Sequence, residues 1–268
     1  MTKPISTGPD MCWPKLRANA IPEDLTDDRL LGGRVRLQQP VSGFRTSIDA
    51  VLLAAAVPAG EGDMVLDVGS GTGAAALCLA TRVEGAQVTG IEADRTLVRL
   101  AADNAAATGV GPRARFYLGD LASPPIRLSP ASFDHVMANP PFAPQGTGRT
   151  PLDPARAQAM VEGGVRLAGW LEFCLKMVKS GGSVTIIQRT DRLAEVLAGL
   201  SGRLGGLVVL PLWPGEGKPA KRVIVAGRKG SGAPLTLWRG LVLHRPDGAY
   251  TREAEAILRG GAALDLWP

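Results

Sequence analysis

The sequence predicts a doubly wound α/β fold: a mostly parallel sheet with helices on both faces, an antiparallel C-terminal edge and a short N-terminal extension. Three observations carry this prediction. From residue 64, short apolar runs alternate with Ala/Leu-rich segments, the rhythm of successive βα units. The first apolar run ends in a glycine cluster that opens directly into a helical segment. After residue 204 the runs follow one another with no helix between them, which adds antiparallel strands to one edge. A length of 268 residues suits one such domain, and 45% apolar against 21% charged residues excludes wholesale disorder. Gly (34) and Pro (21) together imply many tight turns, and 4% aromatics make the core aliphatic.

The elements follow in order. Residues 1 to about 30 are polar and Pro-punctuated and read as a loose leader. Arg34 to Gln39 alternates in polarity like a strand. Ser47 can cap a helix that runs to Val57, with Pro58 just past its end. Met64–Val68 is a strand, followed by the glycines and a helix to about Arg82. Gln87–Ile91 is a second strand and Arg95–Thr108 a second helix; Arg113–Leu118 and Phe133–Ala138 are strands three and four. A helix spans Val165–Lys179 and ends at Gly181-Gly182. Ser183–Gln188 is strand five, and Asp191 or Thr190 caps a helix to Arg203. Gly206–Trp213, Arg222–Gly227 and Leu235–Leu243 are the consecutive strands. Residues 1–58 read as an extension packed on a domain at 59–268.

Several classes are excluded. The longest uninterrupted apolar stretch, Ala50–Ala59, contains Pro58 and falls short of the roughly 20 residues a membrane span needs. The N-terminus lacks the apolar core of a secretory signal. Cys12, Cys78 and Cys174 are far apart, which indicates neither a disulfide framework nor a zinc site and fits a reducing cytoplasm. No metal is expected; His135, inside strand four, reads as structural.

Charge is uneven. Residues 1–134 carry 13 Lys and Arg against 15 Asp and Glu, whereas residues 135–268 carry 17 against 10. Between Arg203 and Arg245 eight basic residues face the single acid Glu216, an excess able to bind phosphates without reading bases. Lys218, Lys221, Arg222, Arg228 and Lys229 are the candidate nucleic-acid contacts, Lys221 and Arg222 first among them.

The glycine cluster, Asp67-Val-Gly-Ser-Gly-Thr-Gly73, lies where doubly wound sheets bind cofactors. Its glycines let a backbone approach a ligand closely. Glu92 closes the second strand, 23 residues after Gly69, where a carboxylate can accept both hydroxyl hydrogens of a ribose. Gly69, Gly71 and Ala74 also satisfy a dinucleotide fingerprint, so the glycines alone leave two cofactor classes open. Asp67 discriminates. Its charge would repel a pyrophosphate and suits a ligand carrying an ammonium and a sulfonium. Asp120, ending strand three, adds a carboxylate for an adenine amino group.

With these acids in place the chain, from about Gly62 to Lys229, resembles the class I S-adenosylmethionine-dependent methyltransferases. The resemblance implies a Rossmann-like sheet of seven strands. It also implies that Asp67, Gly69, Gly71 and Gly73 hold the methionine end, Glu92 the ribose and Asp120 the adenine, with Ser70, Ala93, Leu121 and Asn139 as further cofactor contacts.

Strand four ends in Asn139-Pro-Pro-Phe142. Consecutive prolines stiffen the backbone and remove two N–H donors, leaving carbonyls to point outward. The Asn139 side-chain oxygen and the Pro140 carbonyl can then converge on the two N–H bonds of a planar amine, with Pro141 stiffening the turn and Phe142 offering a face to its ring. Such an amine needs its lone pair made available rather than a strong base. The tetrapeptide resembles that of the adenine-N6, guanine-N2 and glutamine-N5 methyltransferases. Gly43-Phe-Arg-Thr-Ser-Ile-Asp-Ala-Val-Leu-Leu53 further resembles the N-terminal segment of the bacterial tRNA1(Val) adenine-37 N6-methyltransferase family, with Ser47-Ile48 inserted between Thr46 and Asp49. In that family the segment lies near the cofactor, which makes Arg45, Thr46 and Asp49 candidates. Tyr250 to Leu258 resembles the ending of these proteins, with no chemical role attached.

The expectation is therefore an S-adenosylmethionine-dependent enzyme acting on an RNA amino group, adenine N6 in tRNA first. A guanine-N2 rRNA enzyme or a protein glutamine-N5 enzyme is the alternative. A nicotinamide oxidoreductase leaves Asp67 and Asn139 unexplained, and a non-enzymatic RNA binder leaves the intact acids without a task. The Gly- and Pro-rich stretch from Ala143 to Ala157, with Arg149 and Arg156, is read as a cover over the substrate.

Overall fold

The computed structural model describes residues 24–42, 45–121, 124, 128–142 and 165–267. Cys12, Gly43, Phe44 and the stretch with Arg149 and Arg156 lie outside the described residues.

The described chain opens with an antiparallel hairpin, β1 (Leu25–Leu30) and β2 (Val35–Pro40), in register from Leu25 opposite Pro40 to Leu30 opposite Val35. The leader reading therefore ends too late. β2 alternates cleanly, with Val35, Leu37 and Gln39 buried. β1, Leu-Thr-Asp-Asp-Arg-Leu, buries no residue fully and so shows no apolar alternation. A polar staple holds the hairpin on the next helices. Asn104 is buried, accepts from the Gln38 N–H (2.7 Å) and donates to the Gln38 and Thr72 carbonyls (2.9 and 3.0 Å).

Helix α1 (Ile48–Ala56) is capped by Ser47, whose Oγ accepts from the Asp49 N–H, and packs on its neighbours with almost every residue buried. The main sheet then forms from β3 (Met64–Val68), β4 (Gln87–Glu92), β5 (Ala114–Leu118), β6 (Phe133–Ala138) and β7 (Val178–Arg189), all parallel, in the order β5-β4-β3-β6-β7. Between them lie α2 (Ala74–Arg82), α3 (Arg95–Thr108) and α4 (Leu167–Met177). α3 is closed at both ends as its sequence requires: Asp94 caps it, and Gly109, with φ of 81°, stops it. α5 (Leu193–Leu200) follows a 3-10 turn and has no side-chain cap, so neither Thr190 nor Asp191 plays the expected part. Asp191 is drawn instead into an ion pair with Arg189.

β9 (Arg222–Lys229) inserts antiparallel between β7 and β8 (Leu204–Gly215). This is the expected antiparallel edge. The stretch expected to form one last strand breaks into β10 (Thr236–Leu237) and β11 (Leu241–His244), both parallel to β8. Gly240 makes the break: its φ is 84°, and a Cβ there would strike the Pro211 carbonyl and the Trp213 indole. The sheet thus has nine strands, seven long and two short. The C-terminal resemblance segment forms α6 (Arg252–Leu258), capped by Thr251.

Alternating sheet residues feed two apolar clusters. One lies under α1, α2 and α6 and includes Val65, Met137 and Ile224; the other lies under α4 and α5 and includes Leu66, Val136 and Val225. His135 bonds Ser183 Oγ (2.8 Å) and Asp63 Oδ2 (3.1 Å) within this framework, and its burial pushes its pKa down. Cys78 and Cys174 are buried thiols pushed up to about 12 by desolvation. Among the described residues no helix is long and apolar enough to cross a membrane.

Candidate active site

The parallel strands deliver their C-terminal ends to one edge of the sheet, where Gly69, Glu92, Asp120, Asn139 and Arg189 all emerge. The glycine turn is shaped by the backbone. Gly69, Gly71 and Gly73 have φ of 71°, 55° and 89°, a region that L side chains rarely adopt. The Gly69 and Ser70 N–H groups both donate to the Ile91 carbonyl (2.9 and 3.0 Å), tying the turn to β4. Space is equally restrictive. A Cβ on Gly69 would collide with the Trp170 ring from α4, whereas nothing lies within 4 Å of a Cβ on Gly71, which faces open space.

Asp67 is buried (2% exposed) and its Oδ2 accepts from the Ala76 N–H at 3.2 Å, in the first turn of α2. Desolvation raises its pKa from 3.8 to about 7; the bond from Ala76 opposes this and the nearby Glu92 adds to it. A fixed cation beside this carboxyl would reverse the shift. Glu92 accepts from the Gly71 N–H at one oxygen (2.9 Å) and the Asp94 N–H at the other (3.0 Å). Its pKa is also raised, by burial first. Each oxygen keeps a second lone pair for a ligand hydroxyl. Ala93 is exposed beside it, and Asp120 and Leu121 are half-buried after β5.

At the end of β6, Asn139 Oδ1 is buried with no hydrogen-bond partner among the described residues. A buried carbonyl oxygen left unpaired is costly unless a ligand completes it. Pro140 and Pro141 present their carbonyls to the Gln188 amide, at 3.4 and 3.3 Å, and Gln188 Oε1 accepts from the Arg189 N–H at 2.8 Å. Gln188 is fully buried and braces the turn; the Pro140 carbonyl retains a lone pair for a second donor. Sequence reasoning ended strand five at Gln188 without giving it a role. A polar side chain at the C-terminal end of a parallel strand was the available signal. Trp170 and Asn104, which roof and anchor the glycine turn, carried no such signal.

The N-terminal candidates divide. Arg45 pairs with Asp28 (2.8 Å), and the Thr46 N–H donates to Gln39 Oε1 (2.9 Å), so both serve to fasten the segment before α1 to the hairpin. Burial pushes Asp28 up, but hydrogen bonds from Thr26, Gln39 and Arg45 outweigh it and hold the carboxyl below its ordinary value. Asp49, in contrast, reaches the edge where β6 ends: its Oδ2 accepts from Arg222 Nε at 3.0 Å, and the Arg222 guanidinium lies 4.4 Å from the centroid of the Phe142 ring.

The basic excess is largely committed internally. Arg222 is held as just described, Arg203 pairs with Glu172, Arg239 with Glu253 and Arg245 with Asp247. Lys229 donates to the Leu175 and Val178 carbonyls at the end of α4, and Arg228 covers the Trp267 ring at 4.7 Å. Strand direction separates the candidates further. Arg222 pairs with Arg189 at the catalytic edge and Arg228 with Ser183 at the opposite one, six residues and roughly 20 Å away. Arg228 and Lys229 lie at the edge opposite the Asn139 turn and are engaged in packing. Lys218 and Lys221, in the β8–β9 loop, are exposed at the catalytic edge and have no ion pair among the described residues.

Known proteins resemble this chain. The methyltransferase domain family matches residues 65–146, from β3 through the catalytic turn. A tRNA1(Val) (adenine(37)-N6)-methyltransferase of Aeromonas hydrophila is 30% identical over 210 residues, covering 78% of this chain and 86% of the relative. One of Shewanella woodyi is 30% identical, covering 81% and 92%. The crystal structure of a predicted O-methyltransferase from Agrobacterium tumefaciens superposes with a TM-score of 0.68 at 27% identity, covering 81% of this chain and 98% of that one.

Proposed function

Because the chain belongs to the tRNA1(Val) (adenine(37)-N6)-methyltransferase family, we propose that it moves a methyl group from S-adenosylmethionine to the N6 amino group of an adenine in tRNA. The observation that carries the reading is the buried Asn139 Oδ1, without a partner among the described residues and set beside the glycine turn at the C-terminal edge of the parallel strands.

The residues fit the cofactor. Gly71 faces open space where a side chain would intrude, Glu92 has lone pairs to receive ribose hydroxyls, and the buried Asp67 favours a cationic neighbour. S-adenosylmethionine supplies a methyl group already activated on a sulfonium. The protein's part is aim and electrostatics. Asn139 Oδ1 and the Pro140 carbonyl would accept the two N–H bonds of the amine, fixing its plane and favouring electron density on nitrogen. The new N–C bond replaces the methyl–sulfur bond, and one amine proton then leaves to solvent. Phe142 carries the base on one ring face. A hydroxyl has one O–H bond and would leave one of the two acceptors unmatched, which favours an amine over an oxygen acceptor, although the similar Agrobacterium protein is a predicted O-methyltransferase.

Methylation of bulk tRNA by the purified chain with labelled cofactor, followed by nucleoside analysis, tests this. N6-methyladenosine is the expected product. N2-methylguanosine, or label found only in protein or in an ether, overturns the substrate assignment.

A further inference from the structure

Three segments far apart in the chain meet at one guanidinium: α1 through Asp49, the catalytic turn through Phe142, and β9 through Arg222 itself. Strand register brings them together. Ala138, the last residue of β6, pairs with Ile186 of β7, and three residues further along β7 Arg189 pairs with Arg222. The guanidinium is then oriented by two bonds, Nε to Asp49 Oδ2 at 3.0 Å and Nη1 to the Lys221 carbonyl at 3.2 Å. Asp49 is buried, its side chain 8% exposed, so its carboxylate depends on this partner. Its Cζ lies over the Phe142 ring, 4.4 Å from the centroid.

Resting on the methyl-transfer reading, we propose that Arg222 is a positioning residue: held in plane by Asp49, it covers one face of Phe142 and fixes the ring on whose other face the target base stacks. A ring free to rock would carry the base with it, and small misplacements of an attacking atom are expensive in rate. The arrangement needs a planar cation. Lysine would keep the charge and its reach to Asp49 but has no face to lay on the ring. A contact serving only to neutralise an RNA phosphate has the opposite requirement, since lysine satisfies it.

The test compares wild type, Arg222→Lys, Phe142→Leu and the double variant as full chains. Turnover, KM for tRNA, cofactor affinity by calorimetry and the salt dependence of RNA affinity are measured for each. Arg222→Lys is expected to lower kcat about tenfold, the scale of a partly desolvated cation–π contact, with cofactor affinity and salt slope unchanged. Because Arg222 acts through the ring, the double variant should lose no more than Phe142→Leu alone. Wild-type turnover in Arg222→Lys, fully additive losses, or a defect confined to RNA affinity and salt slope overturns the inference while leaving the function intact. Should Arg222→Lys fold poorly, Asp49→Asn removes the charge that orients the guanidinium and should lower kcat in the same pattern; unchanged turnover there also overturns it. A wild type that methylates no RNA overturns the function, and this inference with it.

Discussion

Asn139 and Asp67 each carry a buried polar group at the site, and each yields a separate expectation. Asn139→Ala deletes the unpartnered acceptor while leaving the glycine turn intact. Turnover should fall on the order of a hundredfold, the scale seen when one preorganised polar group is removed, with little change in cofactor affinity by calorimetry. For Asp67 the sign follows from linkage. Its folded-state pKa, about 7, lies above the ordinary 3.8, so the folded protein holds the proton more tightly than the unfolded chain does. Its contribution to stability is complete below pH 4, declines as pH rises toward 7 and is flat beyond. Asp67→Asn should therefore stabilise the cofactor-free protein at pH 8, by up to roughly 4 kcal/mol, and do nothing of the kind at pH 4. Melting curves at the two pH values check this; equal shifts at both would contradict it.

At the scale of elements, the glycine turn is only as firm as the hairpin and α3 beside it. Asn104→Ala would strand the Gln38 N–H and two carbonyls, one of them that of Thr72 in the turn itself. A loss of about 2–3 kcal/mol is expected, together with weaker cofactor binding but nearly unchanged kcat at saturation; chemical denaturation and calorimetry report the two. The elements also mark the limit of reading from sequence. β3, the glycine turn and Asn139-Pro-Pro-Phe142 were legible because each is a contiguous run whose residues report directly on a strand end. β1 was not, since a half-exposed hairpin strand with Thr26, Asp27, Asp28 and Arg29 at its centre has no apolar period to detect. Arg222 was sorted with the surface cations because its partner Asp49 lies in another element entirely, and no local pattern announces such a pair.

For the whole molecule, strand direction divides the basic C-terminal residues into two groups. Lys218 and Lys221 share the catalytic edge, whereas Arg228 and Lys229 are on the far side of the sheet. If the first two touch phosphates, Lys218→Ala with Lys221→Ala should reduce the log–log salt slope of tRNA affinity by about two units. Arg228→Ala should leave the slope alone. Identical slopes for the Lys218 and Lys221 pair and wild type would remove them from the interface. The Asp49–Arg222 bond has a bearing on synthesis as well. Its partners are 173 positions apart, so at ribosomal speeds roughly 10–35 s pass between their emergence. The glycine turn and Asn139 are made well before β9 arrives to steady Phe142. A product terminated before β9 would lack both this grip on the ring and the strand that joins β7 to β8, and should be catalytically silent.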